Sequence, residues 1–312
     1  MASSGSRMVR PMRLLGCVLF AVLIVGCGPS SGNNGQHPDA FQGSGADAPP
    51  GTADADPNAP DASMSDGNYT VYAHGDHTLY SIDLAQKTLK TIGPFNAPQV
   101  MVGSGSAEDV ITDLAVAPNN TIYVISETQL YTADPNDGHV TLVGKTAECG
   151  TKTVALTTTP DGHIYAGDFN GAICEVDITT NPPTVKPPVT MQGGYALTGD
   201  MVAIDTGTVF GTAFKTSDAS GKGTQLSNLL VTVDVNTGAV TVIGSGTGFP
   251  KLFGAAFAGG EVFGFTHDGT GHVVTIDRTS GVGTLYATFT DPTTNKGISF
   301  AGAGVNSLVV VN

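Results

Sequence analysis

The sequence predicts an all-β fold: a β-propeller of four-stranded blades, closed by its C-terminal strand and preceded by a disordered N-terminal tether. Five blades are expected, with six as the alternative. Three observations lead there. Glycine fills 42 of 312 positions and charged residues only 13%, against an average near 25%, a composition of tight turns rather than long helices. One motif recurs, a strand ending in Asp, a short turn, then a Thr/Val-rich strand often closing on Gly. Its period is that of a repeat architecture holding several short strands per unit.

The repeats begin near residue 68. Thr78–Asp83 is followed by Thr88–Gly93, Gln129–Asp134 by Val140–Gly144, and Ile173–Asp177 by a degenerate partner near Thr184. Leu230–Asp234 precedes Val240–Gly244, and Val273–Asp277 precedes Gly283–Tyr286. The aspartates are spaced by 51, 43, 57 and 43 residues. Recurring in every unit, they read as Asx-turn residues of an outer hairpin. Another strand lies upstream of each: Thr70–Ala73, Thr121–Ile125, His163–Ala166, Thr208–Thr212 and Glu261–Phe265. Innermost strands are expected at Ile111–Ala117, Thr153–Thr159, Asp200–Ile204, Leu252–Ala258 and Gly297–Ala301, all small-residue and apolar. The first unit lacks its own, so Gly297–Ala301 is expected to complete it and leave no open edge. Counting innermost strands gives five blades. Counting second strands, with Ser307–Val311 included, gives six.

Residues 68–312 resemble the broad bacterial YVTN/NHL/quinoprotein-like propeller superfamilies, through Leu79-Tyr-Ser-Ile-Asp83 and the Thr237-Gly238 turn before Val240. The chain has no tryptophan, so the repeated Trp of quinoprotein blades, the Trp-Asp of WD repeats and the Trp of sialidase Asp-boxes are all missing. The paired glycines of kelch blades occur only as Gly193-Gly194 and Gly259-Gly260. The resemblance implies an architecture and no particular activity.

The N-terminus speaks to compartment. Arg7, Arg10 and Arg13 precede the apolar run Leu14–Gly26, too short for a spanning helix of ~20 residues and of signal-peptide form. Ile24-Val25-Gly26-Cys27 resembles a bacterial lipobox. The resemblance implies a signal peptide over 1–26, a lipid on Cys27 and anchoring in a membrane. Gly28 is not the Asp that retains such proteins in the inner membrane, so the outer membrane is expected. Residues 28–67 contain no Lys or Arg and almost no large apolar residue beyond Phe41 and Met64, a composition that stays disordered and suits a tether between Cys27 and the propeller. Without the three arginines ahead of Cys27, ten bases face 27 acids, a net charge of −17. Nucleic acid is excluded as a partner, since phosphate binding needs clustered Lys and Arg.

Cys149 sits in the connector entering the third blade and Cys174 opens that blade's third strand. In an exported compartment the two are expected to form a disulfide.

In a propeller, loops between second and third strands share a face with the connectors between blades. That face is expected to carry His74, Asp76, His77, Asp168, His267, Asp268 and His272, with Glu108, Asp109, Asp113 and Asp200 near the channel mouth. Convergence of such groups is what a metal or acid–base site requires, but no spacing here marks a metal ligand set, and no cofactor is expected. The blade-four insertion 215–228 is the clearest departure from the repeat. With Lys215 and Lys222 it is the one basic spot on an acidic body, a candidate partner-binding loop. The expected function is a membrane-anchored, monomeric binding or scaffold module for an envelope protein or glycan. The alternatives are a metal-dependent hydrolase of the lactonase-propeller type and a structural envelope lipoprotein without a specific ligand.

Overall fold

The computed structural model describes residues 70–150, 152–217 and 228–306, all within the compact unit Asn58–Asn312. They form five antiparallel blades around an axis. Blade 1 runs, from axis to rim, Gly302–Gly304, Thr70–His74, Thr78–Asp83 and Thr88–Pro94. Blade 2 is Ile111–Val116, Ile122–Ser126, Gln129–Ala133 and Val140–Lys145. Blade 3 is Thr153–Thr158, Ile164–Asp168 and Ala172–Asp177, with an outer strand broken into Thr184–Val185 and Val189–Thr190. Blade 4 is Tyr195–Ala203, Thr208–Lys215, Leu229–Asp234 and Val240–Ile243; blade 5 is Leu252–Ala258, Glu261–Thr266, His272–Ile276 and Gly283–Thr288.

The broken strand has a local cause. Pro182, Pro183, Pro187 and Pro188 flank its two pieces, and proline cannot donate to a ladder, so it is confined to edges and breaks.

Five apolar clusters hold the ring, one at each junction between neighbouring blades. Leu79 and Phe95 of the blade 1 side meet Leu114 and Tyr131 of blade 2. Ile125 and Leu130 meet Leu156 and Val176 across the next junction. Tyr165 and Ile173 then meet Leu197 and Val231, and Phe210 and Leu230 meet Leu252 and Val274. The ring is sealed where Val71 and Ile82 of blade 1 pack with Phe263, Phe265 and Phe300.

The recurrent aspartates are turn residues, as expected. Asp83 accepts from the Gln86 N–H, Asp134 from Asn136, Asp177 from Thr179, Asp234 from Asn236 and Thr237, and Asp277 from Thr279 and Ser280. These bonds stabilise the ionised carboxylate. The Thr179 hydroxyl lowers Asp177, the Asn236 N–H lowers Asp234, and the Thr279 hydroxyl lowers Asp277 below the usual carboxylate range.

Closure is by the C-terminal strand, but the closing residues are Gly302–Gly304 rather than Gly297–Ala301. The earlier segment crosses from blade 5 to blade 1: Gly297 bridges Thr290, the Phe300 N–H donates to the Thr266 carbonyl, and the Ala301 N–H to the His74 carbonyl. The inner strand of blade 4 starts at Tyr195, five residues before the expected Asp200. The six-blade count rested on Ser307–Val311, which lies outside the described residues. One element was not anticipated, a hairpin of Gln99–Val102 and Gly105–Glu108 in the connector between blades 1 and 2. Its two-residue turn places Gly103 at φ +61°, a conformation glycine adopts without steric penalty.

Cys149 and Cys174 form a disulfide, both buried, closing a sequence separation of 25. Replacing both with serine is expected to lower stability by about 3.5 kcal/mol, the loop-closure entropy of a loop this long. Urea denaturation of the full-length chain measures it; an unchanged midpoint would show that the bond constrains nothing in the unfolded chain.

Candidate functional site

The chemistry-bearing residues that converge lie on the axis, inside the molecule. Asp113 of blade 2 and Asp200 of blade 4 are fully buried and meet at the closing strand, Asp113 Oδ1 against Gly302 and Asp200 Oδ2 by the Ala303 N–H. Their carboxyl oxygens take backbone N–H groups from all five inner strands. Asp113 Oδ1 accepts from Leu114 at 2.7 Å and Oδ2 from Leu156 of blade 3 at 2.6 Å. Asp200 Oδ1 accepts from Met201 at 2.6 Å, and Oδ2 from Ala255 of blade 5 at 2.6 Å and Ala303 of blade 1 at 3.4 Å.

Strand geometry explains why these N–H groups are free for this task. In blades 2 to 5 the register between the inner and second strands slips at one place, between Ile111 and Asp113, Thr153 and Ala155, Leu197 and Met201, and Leu252 and Gly254. A bulge takes one residue out of the ladder and re-aims the backbone. The residue before each donated N–H is Asp113, Ala155, Asp200, Gly254 or Gly302. Two carboxylates and the bare backbones of Gly254 and Gly302 meet at the centre, while the Ala155 methyl packs between blades 3 and 4. There is no room for more: a Cβ on Gly302 would fall on Asp113 Oδ1 and within 2.6 Å of His74 Nε2.

Both carboxyls are held well above the usual carboxylate range. Burial is the first cause for each; for Asp113 the negative charge of Asp200 beside it is the second. Two buried carboxylates side by side in a dry site cannot both ionise cheaply.

His74 reaches the same ring. It is fully buried, its ring 5.5 Å from that of Phe95 in an edge contact. Its Nδ1 lies 2.7 Å from the Gly75 carbonyl, which can only accept, so Nδ1 carries the proton. Nε2 is a buried lone pair without a protein partner. Burial pulls His74 down from 6.5 to about 4, which leaves it neutral at physiological pH.

The remaining expected residues do not converge into one open site. Asp168 is a buried strand end that accepts from Asn170. Asp76 is exposed. His77 is exposed, 3.6 Å from Glu108, and Glu108 also accepts the Ala97 N–H. Asp109 is buried and taken by the Tyr131 hydroxyl at 2.6 Å. His267 stacks on Phe253 at 4.8 Å, and Asp268 accepts from Thr270. His272 begins a strand and is half-buried, not a loop residue. His74 and His267 are close enough to influence each other electrostatically. Lys215 lies over the Tyr195 ring at 5.9 Å, while Lys222 falls outside the described residues. Asp113 and Asp200 were expected at the channel mouth; they sit instead within the packed axis, because the bulged strands turn them inward. Among the described residues, no group of three or more His, Cys, Asp or Glu has the geometry to hold a metal ion.

Past the carboxyl ring the axis holds a cavity of about 20 Å³ lined by Leu114, Leu156, Met201, Ala255, Phe257 and Val305, space for about one water.

No protein-family model matches the chain, and no curated protein does. Among solved structures it is similar to the Dos1 propeller, at 13% identity and TM-score 0.42, covering 69% of this chain and 57% of that one. It is also similar to a chain of the nidogen/laminin complex, at 12% identity and TM-score 0.47, covering 78% of this chain and 99% of that one. The five blades are established by the strand pairing itself.

Two outcomes follow from the ring. Gly302→Ala should lower stability by about 2–3 kcal/mol through overpacking, read as a shifted denaturation midpoint; an unshifted midpoint would mean the axis has slack. His74 must stay neutral to remain buried, so the unfolded chain binds the extra proton as pH falls below 6.5. Stability should drop by up to roughly 3 kcal/mol between pH 6.5 and pH 4 through this group. Comparing wild type with His74→Gln across that window isolates the effect, and identical acid limbs would show that His74 does not supply it.

Proposed function

We propose that the chain is a lipid-anchored, extracytoplasmic binding platform that presents its loop face to an envelope protein or glycan. The observation that carries this reading is the hairpin Gln99–Glu108. It belongs to no blade, and it interrupts the repeat on the face where second-to-third-strand loops and inter-blade connectors meet. Met101 is 75% exposed and the following connector residue Val110 48% exposed, a projecting apolar pair where a solvated loop would suffice. Protein interfaces draw on such methionines for their cores. Lys215 ends the second strand of blade 4, Thr208–Lys215, on the side of its second-to-third-strand connection.

Anchoring rests on the lipobox at Cys27, and an exported location fits the Cys149–Cys174 disulfide. Among the described residues no helix is long and apolar enough to cross a membrane. Outer-membrane placement and a monomeric state belong to the same proposal.

A photo-crosslinking residue at Met101, in intact cells, should join the protein to one stoichiometric partner. The same probe at Leu142, exposed on the outer strand of blade 2, should not. With that partner purified, Met101→Asp should weaken binding by about tenfold; equal capture from both positions, or unchanged affinity, would remove the loop face from the account. Cys27→Ser should shift the chain from the membrane fraction to the soluble one, and a chain that stays membrane-bound would contradict lipid anchoring.

A further inference from the structure

The axial ring holds its five inner strands unequally. Four N–H groups lie 2.6–2.7 Å from a carboxyl oxygen. The fifth, that of Ala303, lies at 3.4 Å and shares Asp200 Oδ2 with Ala255. Ala303 is the middle of the three-residue strand Gly302–Gly304, which closes the ring through only three register pairs with blade 1. The other inner strands run six to nine residues. The weakest grip therefore coincides with the shortest strand.

We propose that the Asp113–Asp200 pair is a proton-operated latch on the closing strand: with one proton between them the two carboxyls hold all five blades, and loss of that proton frees Gly302–Gly304 first. The step is a proton transfer. The Asp113 O–H gives its proton to hydroxide, forming water, and the acid–carboxylate hydrogen bond is replaced by two facing carboxylates. Their repulsion in a dry site pushes Asp200 from Asp113, and the longest N–H bond is the one with least to lose.

A proton fits this site better than a metal ion. Every carboxyl oxygen of the pair already accepts a backbone N–H, and a ring of N–H dipoles opposes a cation. Few other charges face the pair. The inner strands 153–158, 252–258 and 302–304 contain no ionisable residue, 111–116 contains only Asp113, and 195–203 adds Tyr195 at its outer end. From the second strands His74 reaches the ring, neutral and influenced by Asp76 and His267. The one lysine or arginine of these strands, Lys215, is exposed at the end of Thr208–Lys215 and lies over the Tyr195 ring, and neither carboxyl is influenced by a lysine or arginine.

The test uses the unmodified full-length chain. Carbon NMR of the aspartate side-chain carboxyls, titrated from pH 5 to pH 11, reports the protonation of Asp113 and Asp200. Amide hydrogen exchange over the same range, corrected for intrinsic base catalysis, reports opening of each inner strand. One proton should remain on the pair at pH 7. As it leaves, exchange at Ala303 should accelerate at least ~10-fold while Leu156, held at 2.6 Å, stays protected. Asp113→Asn, where it folds, should lose the alkaline step. Two ionised carboxylates at pH 7 would overturn the latch, as would deprotonation with no selective opening at Ala303. So would protection restored at alkaline pH by calcium or zinc, which would make a cation the partner of the pair.

Discussion

The structure depends on one constraint: five β-strands converge on an axis where each brings a backbone N–H that its own ladder does not use. An unpaired buried N–H costs about as much as a lost hydrogen bond, and five would leave a fold of ordinary stability with little margin. Two aspartates resolve this. Each binds the N–H that follows it and that of the next blade, and Asp200 reaches a fifth. A single aspartate has too few oxygens in reach of five strands. The pattern Asp113, Ala155, Asp200, Gly254 and Gly302 follows: carboxyls at two positions, and at the other three side chains small enough to stand aside.

The same arrangement makes the ring cooperative. Each inter-blade apolar cluster joins only neighbours, so on packing alone a blade would sense only the two beside it. The carboxyl pair links blades that do not touch through their cores. Asp113 and Asp200 connect blades 2 and 4 directly, and through the N–H groups they bind, the remaining three. Two kinds of force thus divide the work. Non-directional burial between blades supplies most of the free energy, while the axial hydrogen bonds tie the five inner strands to one pair of side chains.

What could be read in the amino-acid order divides along the range of the interactions. The outer-hairpin aspartates were legible because an Asx turn is completed within three residues, as between Asp277 and Ser280. Second and third strands were legible because alternation and turn chemistry are local. The axial ring was not: its bonds span 43, 55 and 103 residues, and nothing around Asp113 distinguishes a buried axial carboxyl from a loop one. His74 was assigned to a solvated loop for the same reason; only the missing side chain of Gly302, more than two hundred residues away, gives it a place inside. The closing strand was displaced by five residues because Gly297–Ala301 and Gly302–Gly304 have the same small-residue texture, and only the pairing with Thr70–His74 separates them. The hairpin Gln99–Glu108 has a weak local signal, since Gln99–Val102 is rich in strand formers but its partner Gly105-Ser-Ala-Glu108 is not.

The filled axis also bears on where specificity can reside. A propeller that binds a ligand in its channel needs space among its inner strands. Here carboxyls, small side chains and a water-sized cavity occupy that level, and the histidine and aspartate that were expected to face solvent, His74 and Asp113, are sealed within it. In the binding role proposed above, recognition falls to segments that the repeat does not require. A blade needs four strands and short turns; the hairpin 99–108 is additional to that, and it lies in a connector between blades. Because the carboxyl ring fixes the inner strands, the connectors start from positions that vary little, and a projecting apolar residue such as Met101 is presented on a rigid base. Pre-organisation of this kind reduces the entropy lost when a partner docks. In the proposed role the axis contributes to binding indirectly, by holding the loop face in one shape.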